Sequence, residues 1–115
     1  MTTLYGIKNC DTVKKAKKWL ESHSIEYRFH DFRVDGLREA QIIAWIQELG
    51  LDTLINKRST TWKMLDDKTK EGLDEHSALA IILENPTLIK RPLLDTGQQR
   101  FVGFKDEIYT SALSK

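Results

Sequence analysis

The chain has 115 residues, of which 40% are apolar and 30% charged, and a formal net charge of +1. That length suits one domain able to bury its own core without a metal or disulfide staple. The even charge balance argues against nucleic-acid or anionic membrane partners. Apolar runs such as Ala78 to Leu83 fall far short of a bilayer span. With one cysteine and no basic-then-apolar leader at the N-terminus, the cytoplasm is the expected location.

Thr2 to Ile7 is short and rich in β-formers and reads as a buried strand. From Asp11 to His23 the spacing turns helical, with Val13, Ala16, Trp19 and Leu20 on one face, and Ser24 closes the helix. Ile25 to Phe32 then alternates apolar and polar residues as a half-buried strand does. Strand, helix and strand in that order predict a parallel pair with a right-handed crossover.

Asp35-Gly36 signals a turn, and Asp35 is expected to cap the next helix. That helix carries Ile42, Ile43, Trp45, Ile46 and Leu49 and stops at Gly50. Leu51 to Asp74 is polar and weakly patterned, with one short helix expected around Trp62 to Leu65. Asp74 caps a further helix through Leu79, Ile81 and Ile82 to Glu84, ended by Asn85-Pro86. Leu88 to Leu94 reads as a loop entering a strand, with Pro92 at its edge or start. Thr96 to Gln99 forms a hairpin turn into a return strand, Arg100 to Phe104. Lys105 to Leu113 completes the chain as a helix with Ile108, Tyr109 and Ala112 inward. The order predicts an α/β fold, a mixed sheet flanked by helices with an inserted helical region at about 35–85.

Cys10 stands between a strand and a helix. A helix start offers unpaired N–H groups and a positive partial charge, and both favour a thiolate. Lys8 and Lys14 would add positive potential, while Asp11 works against it. Asn9 and Thr12 flank the thiol and can hydrogen-bond an anion or order the loop. The competing reading is an inert buried cysteine, a common fate for that residue. A strand-to-helix junction of an α/β sheet is where ligands often bind, which favours reactivity. In Cys10-Asp11-Thr12-Val13 a valine occupies the second cysteine position of a dithiol motif, so any disulfide turnover needs an outside thiol.

The segments Leu4 to Thr12, Thr61-Trp62, Ile89 to Leu94 and Gly103-Phe104 resemble the ArsC/Spx family, closest to its YffB branch, over nearly the whole chain. The resemblance implies a thioredoxin-like sheet with an inserted helical region, Cys10 as nucleophile, and Arg58 and Arg91 as oxyanion-binding residues. It also implies a cis peptide before Pro92. Two guanidiniums near a thiol suit an oxyanion or the carboxylates of glutathione.

Two departures stand out. Arsenate reductases of the family carry a histidine where this chain has Gly6 and a third arginine where it has Gly103. The function that the resemblance implies is therefore a glutathione-dependent thiol-disulfide reductase using Cys10 alone. The alternatives are a glutaredoxin-coupled arsenate reductase and a non-enzymatic, Spx-like protein-binding regulator. No tightly bound cofactor is expected; glutathione is the expected co-substrate and glutaredoxin a further partner.

His23, His30 and His76 are scattered without metal-ligand spacing, so no metal site is expected. Trp19 and Trp45 read as core, and Trp62, in a polar stretch, as either cleft lining or helix packing.

Overall fold

The computed structural model describes residues 2–113. They form two compact units, one built from the stretches up to Asp35 and from Arg91 onward, the other from Gly36–Lys90.

The first unit holds a four-stranded mixed sheet in the order β2-β1-β3-β4. Strand β1 is Thr2–Gly6, β2 Tyr27–Asp31, β3 Leu93–Asp95 and β4 Arg100–Val102. β1 runs parallel to β2 and antiparallel to β3, which is antiparallel to β4. Leu4 lies between Phe29 and Leu94, and Leu94 pairs in turn with Phe101, so one apolar row crosses all four strands.

Helix α1, Asp11–Ser22, lays Val13, Ala16, Trp19 and Leu20 against that row. The C-terminal helix, Asp106–Leu113, adds the fully buried Tyr109 to the same cluster. Tyr109 meets Trp19 and Phe104 edge-on, a favourable arrangement of ring quadrupoles. Burial raises the Tyr109 phenol above its ordinary range. On β2, Tyr27 donates to Glu21 at 2.8 Å; its burial and that carboxylate push the phenol up to about 12.

Several expectations need correction here. Ile108 is exposed rather than inward, because Tyr109 takes the core position of its helix. Asp35 caps no helix: its carboxylate accepts from the Asp31 N–H at 3.0 Å, within the turn that follows β2. The return strand ends at Val102 because Gly103 turns left-handed, with φ 82°.

The second unit is helical. It comprises α2 (Glu39–Leu49), α3 (Leu51–Leu54), α4 (Thr60–Lys63), α5 (Asp67–Glu71) and α6 (Glu75–Glu84), then a 3₁₀ turn at Pro86–Leu88. Ile42, Trp45, Ile46, Leu54, Ala78, Ile82 and Leu88 are buried. A single antiparallel bridge joins Ile55 to Ile89, flanked by Asn56 N–H to Leu88 O and Lys90 N–H to Leu54 O, both 2.8 Å.

At the start of α2, the Arg38 N–H donates to Gln41 Oε1 at 3.0 Å, in the place expected for Asp35. Where one short helix was expected between Leu51 and Asp74, three form. Two of them hold through side-chain caps rather than an apolar stripe. Ser59 Oγ accepts from the Trp62 N–H at 3.1 Å and Asp66 from the Thr69 N–H at 2.7 Å. Asp74 caps α6 as expected, accepting from the Ser77 N–H at 2.8 Å. Hydrogen bonds from Thr69 and from Ser77 hold the Asp66 and Asp74 carboxyls below the usual carboxylate range. Among the described residues, no helix is long and apolar enough to cross a membrane.

Candidate functional site

The strand directions gather four chain segments at one end of the sheet. Gly6, the last residue of β1, faces Asp31, the last of β2, and Tyr5 faces Leu93, the first of β3. Leu93 in turn faces Val102, the last of β4. The loop from Ile7 to Cys10, the turn after Asp31, the Arg91-Pro92 peptide and Gly103 therefore all leave the sheet at that end. Two backbone bonds knit them: Phe32 N–H to Gly6 O at 2.9 Å and Gly103 N–H to Pro92 O at 2.8 Å.

Cys10 is the N-cap of α1, in extended backbone (φ −124°, ψ 121°). Its carbonyl accepts the first helical bond, from the Lys14 N–H at 3.0 Å, while its side chain makes no cap bond. Half-buried, Cys10 packs against the core cluster of the sheet. Lys8 and Asn9 are exposed in the preceding turn, and Thr12 is half-buried in the first turn of α1 beside the exposed Asp11. Arg91 is half-buried ahead of the buried Pro92, and the peptide between them is cis. Lys8, Asn9, Cys10, Thr12, Arg91 and Pro92 thus share one end of one unit.

Arg58 stands elsewhere in the chain. It belongs to the helical unit, exposed in the turn before α4, with its N–H donating to Asn56 Oδ1 at 3.0 Å. Trp62 is half-buried on α4 of that unit, whereas Trp19 and Trp45 are buried, as read from the sequence.

The structure adds a relation not drawn from sequence. A Cβ placed on Gly6 would lie 2.7 Å from Val13 Cγ2, closer than real Cβ contacts come. Val13 is fully buried and β-branched, so it has little freedom to yield. Gly6 is thus required by packing rather than by backbone conformation. Its signal lay in the spacing, with Gly6 closing the strand and Val13 opening the inward face of the helix. Asp31 was also missed. The residue is only 6% exposed at the same end of the sheet, and its carboxylate accepts from the Arg33 N–H at 2.8 Å. A buried acid breaking the alternation of a strand is the signal that would have found it.

The model of the ArsC family matches residues 5–112. The chain belongs to the ArsC family. An uncharacterized protein of Haemophilus influenzae is 50% identical over 99% of this chain and 100% of its own length. The global transcriptional regulator Spx of Streptococcus pyogenes is 26% identical over 100% of this chain and 87% of its own. Among solved structures, the YFFB protein superposes with a TM-score of 0.95 at 42% identity, covering 99% of this chain and 100% of its own. An arsenate reductase (ArsC) related protein from Brucella melitensis gives 0.78 at 37% identity, covering 99% and 95%. The ArsC/Spx resemblance, its YffB branch and the thioredoxin-like mixed sheet flanked by helices all hold.

Proposed function

We propose that this ArsC family member is a monothiol reductase that acts on disulfides and draws its electrons from glutathione. The observation that carries the reading is the placement of the chain's one sulfhydryl at the N-cap of α1, half-buried and making no side-chain cap bond. The Cys10 thiolate attacks one sulfur of a substrate disulfide, a new S–S bond forms, and the other sulfur leaves as a thiolate that takes a proton. A glutathione thiolate then attacks the mixed disulfide and restores Cys10. A second glutathione completes the reduction, so two thiols are oxidised for each disulfide reduced.

Arg91, beside the cis proline at the same end of the sheet, is the residue best placed in sequence and topology to hold a carboxylate of glutathione. Lys8, Asn9 and Thr12 supply further cationic and hydrogen-bonding groups around the loop. Arg58 and glutaredoxin are secondary elements of the reading, the first as an anion-binding residue of the helical unit and the second as an alternative source of the outside thiol. A cysteine that must remain reduced between turnovers fits a reducing compartment such as the cytoplasm.

The arsenate reading draws support from the resemblance to an arsenate reductase related protein. Against it, Gly6 has no room for a side chain and Gly103 supplies no guanidinium. Incubation with oxidised glutathione at neutral pH, followed by intact-mass measurement, separates these readings. The expected result is the mass gain of one glutathionyl group, lost in Cys10→Ser, together with glutathione-dependent reduction of a small disulfide. A protein that stays unmodified, or activity retained in Cys10→Ser, overturns the proposal. Turnover seen only with arsenate transfers it to the arsenate reading.

A further inference from the structure

Helix α1 carries a charge pattern that works against its own stability. Residues 8–18 hold five lysines, Lys8, Lys14, Lys15, Lys17 and Lys18, against one acid, Asp11. The four on the helix all fall within its first eight residues, toward the end where the helix dipole disfavours cations, and the last turn has none. Lys14 stands four residues from Lys18 and three from Lys17, and Lys15 three from Lys18, so like charges adjoin on the helix surface. Among the described residues none of the five forms an ion pair. Departures of this kind from local preference are expected at functional sites.

The pattern also has a direction. At ~100° per residue, Cys10, Lys14, Lys17, Lys18 and Glu21 fall within about 100° of one another around the axis. That flank faces β2, since Tyr27 donates to Glu21 and Lys17 Nζ lies 3.6 Å from the centre of the Phe29 ring. The C-terminal helix, which bears Asp106 and Glu107, packs on the opposite flank, where Tyr109 meets Trp19. Widening the count to every residue from Lys8 to Asp31 gives six cations against four acids, still a larger excess than the +1 of the whole chain. Of those acids, Glu21 accepts from the Tyr27 hydroxyl and Asp31 from the Arg33 N–H. A positive stripe therefore runs along α1 with the half-buried thiol at its head.

We infer that the lysine stripe of α1 selects acidic polypeptides as the disulfide substrates of Cys10, an inference that rests on the thiol chemistry proposed above. Nucleic acid suits the charge but offers no sulfur–sulfur bond to the thiol at the head of the stripe. Lys14 and Lys18 lie about 6 and 12 Å along the helix axis from Cys10. An extended peptide advances about 3.3 Å per residue, so the carboxylates best placed to meet them stand about two and four residues from the substrate cysteine. Positive potential along the approach also raises the rate of encounter with an acidic partner.

The test uses the full chain and a one-cysteine peptide activated as its mixed disulfide with 2-nitro-5-thiobenzoate. Attack by the Cys10 thiolate forms a Cys10–peptide disulfide and breaks the peptide–thiobenzoate bond, whose electron pair leaves on the coloured thiolate. Three peptides are compared at low salt, with glutamate, glutamine or lysine at the second and fourth positions from the cysteine. The glutamate peptide reacts about fivefold faster than the glutamine peptide, the size expected for two exposed charge contacts, and the lysine peptide reacts slowest. Salt at about 0.5 M removes the difference. Lys14→Gln with Lys18→Gln brings the glutamate-to-glutamine ratio close to one without lowering the urea midpoint, because it relieves the crowding of like charges. Lys63→Gln with Lys68→Gln, exposed in the helical unit, keeps the ratio. Equal rates for the three peptides, an equal loss of the ratio in that control, or a lowered midpoint overturns the inference and leaves the thiol reading standing. An oligonucleotide that blocks the reaction at lower concentration than a cysteine-free glutamate peptide overturns it too. If none of the three peptides reacts, the thiol reading itself falls and takes the inference with it.

Discussion

The two units of this protein achieve order by different means. The sheet unit draws its core from segments nearly a chain length apart: Leu4 meets Leu94, and Tyr109 packs into the same cluster as the helix that follows Cys10. The helical unit, between Gly36 and Lys90, relies far more on local devices. Its helices α3, α4 and α5 have four or five residues each, too short to stand on hydrogen bonds of their own. Long-range pairing fixes the end of the sheet from which the thiol emerges. Local capping fixes a run of short turns bearing cations. The contrast assigns positional accuracy to the unit that carries the cysteine.

The contrast can be broken most forcefully at Tyr109. Tyr109→Ala removes a fully buried ring from the sheet core and should cost about 3–5 kcal/mol in urea unfolding. A loss below about 1 kcal/mol would show that the C-terminal helix contributes little to the sheet unit. Next comes Gly6→Ala, expected to cost about 1–3 kcal/mol because the new methyl meets Val13. Pairing it with Val13→Ala should cost less than the sum of the two single changes, and strict additivity would remove the packing account of Gly6.

For activity, Arg91→Ala should raise the KM for glutathione about tenfold, the loss of one charge-assisted contact. Arg58→Ala should raise it less, about threefold, being exposed in the other unit. Equal effects would bring the helical unit into anion binding on the same footing.

The smallest effects concern pH, and the two units should answer to opposite ends of the scale. Asp66 and Asp74 are held below the usual carboxylate range, so their contribution is complete above about pH 4 and lost as pH falls through their folded values. Amide exchange in α5 and α6 should accelerate in acid before exchange in β1 does. Tyr27, pushed from 10.0 up to about 12, stabilises the sheet unit fully below about pH 10 and loses that effect as pH rises toward 12. Exchange that quickens first in β1 on acidification would reverse the comparison.

Much of the sheet unit could be read from sequence because its signals are periodic. Val13, Ala16, Trp19 and Leu20 mark one helix face, and Thr2 to Ile7 and Ile25 to Phe32 read as strands, the first one residue shorter at its C-terminal end and the second trimmed at both ends. The helical unit was harder. An apolar stripe needs more than one turn to repeat, so α3 and α5 left no periodic trace, and Asp66, the cap of α5, was the readable feature overlooked. Asp35 misled because an aspartate before a helix has two uses, capping it or tying the preceding turn, and here the second prevails. For the candidate site, Lys8 to Thr12 were visible as a contiguous run. Arg91 and Pro92, about eighty residues away, became visible only through resemblance, since antiparallel pairing of β1 with β3 leaves no local mark.

The outer strands of the sheet carry a consequence for solubility. Its outermost strands are β2, with exposed Arg28, and β4, only three residues long and opening on Arg100, whose guanidinium lies 3.6 Å from Asp95. Short borders that bear charge make poor templates for a neighbouring chain's backbone. At high concentration the folded protein should resist ribbon-like self-assembly, its ladder ending where another molecule would have to begin.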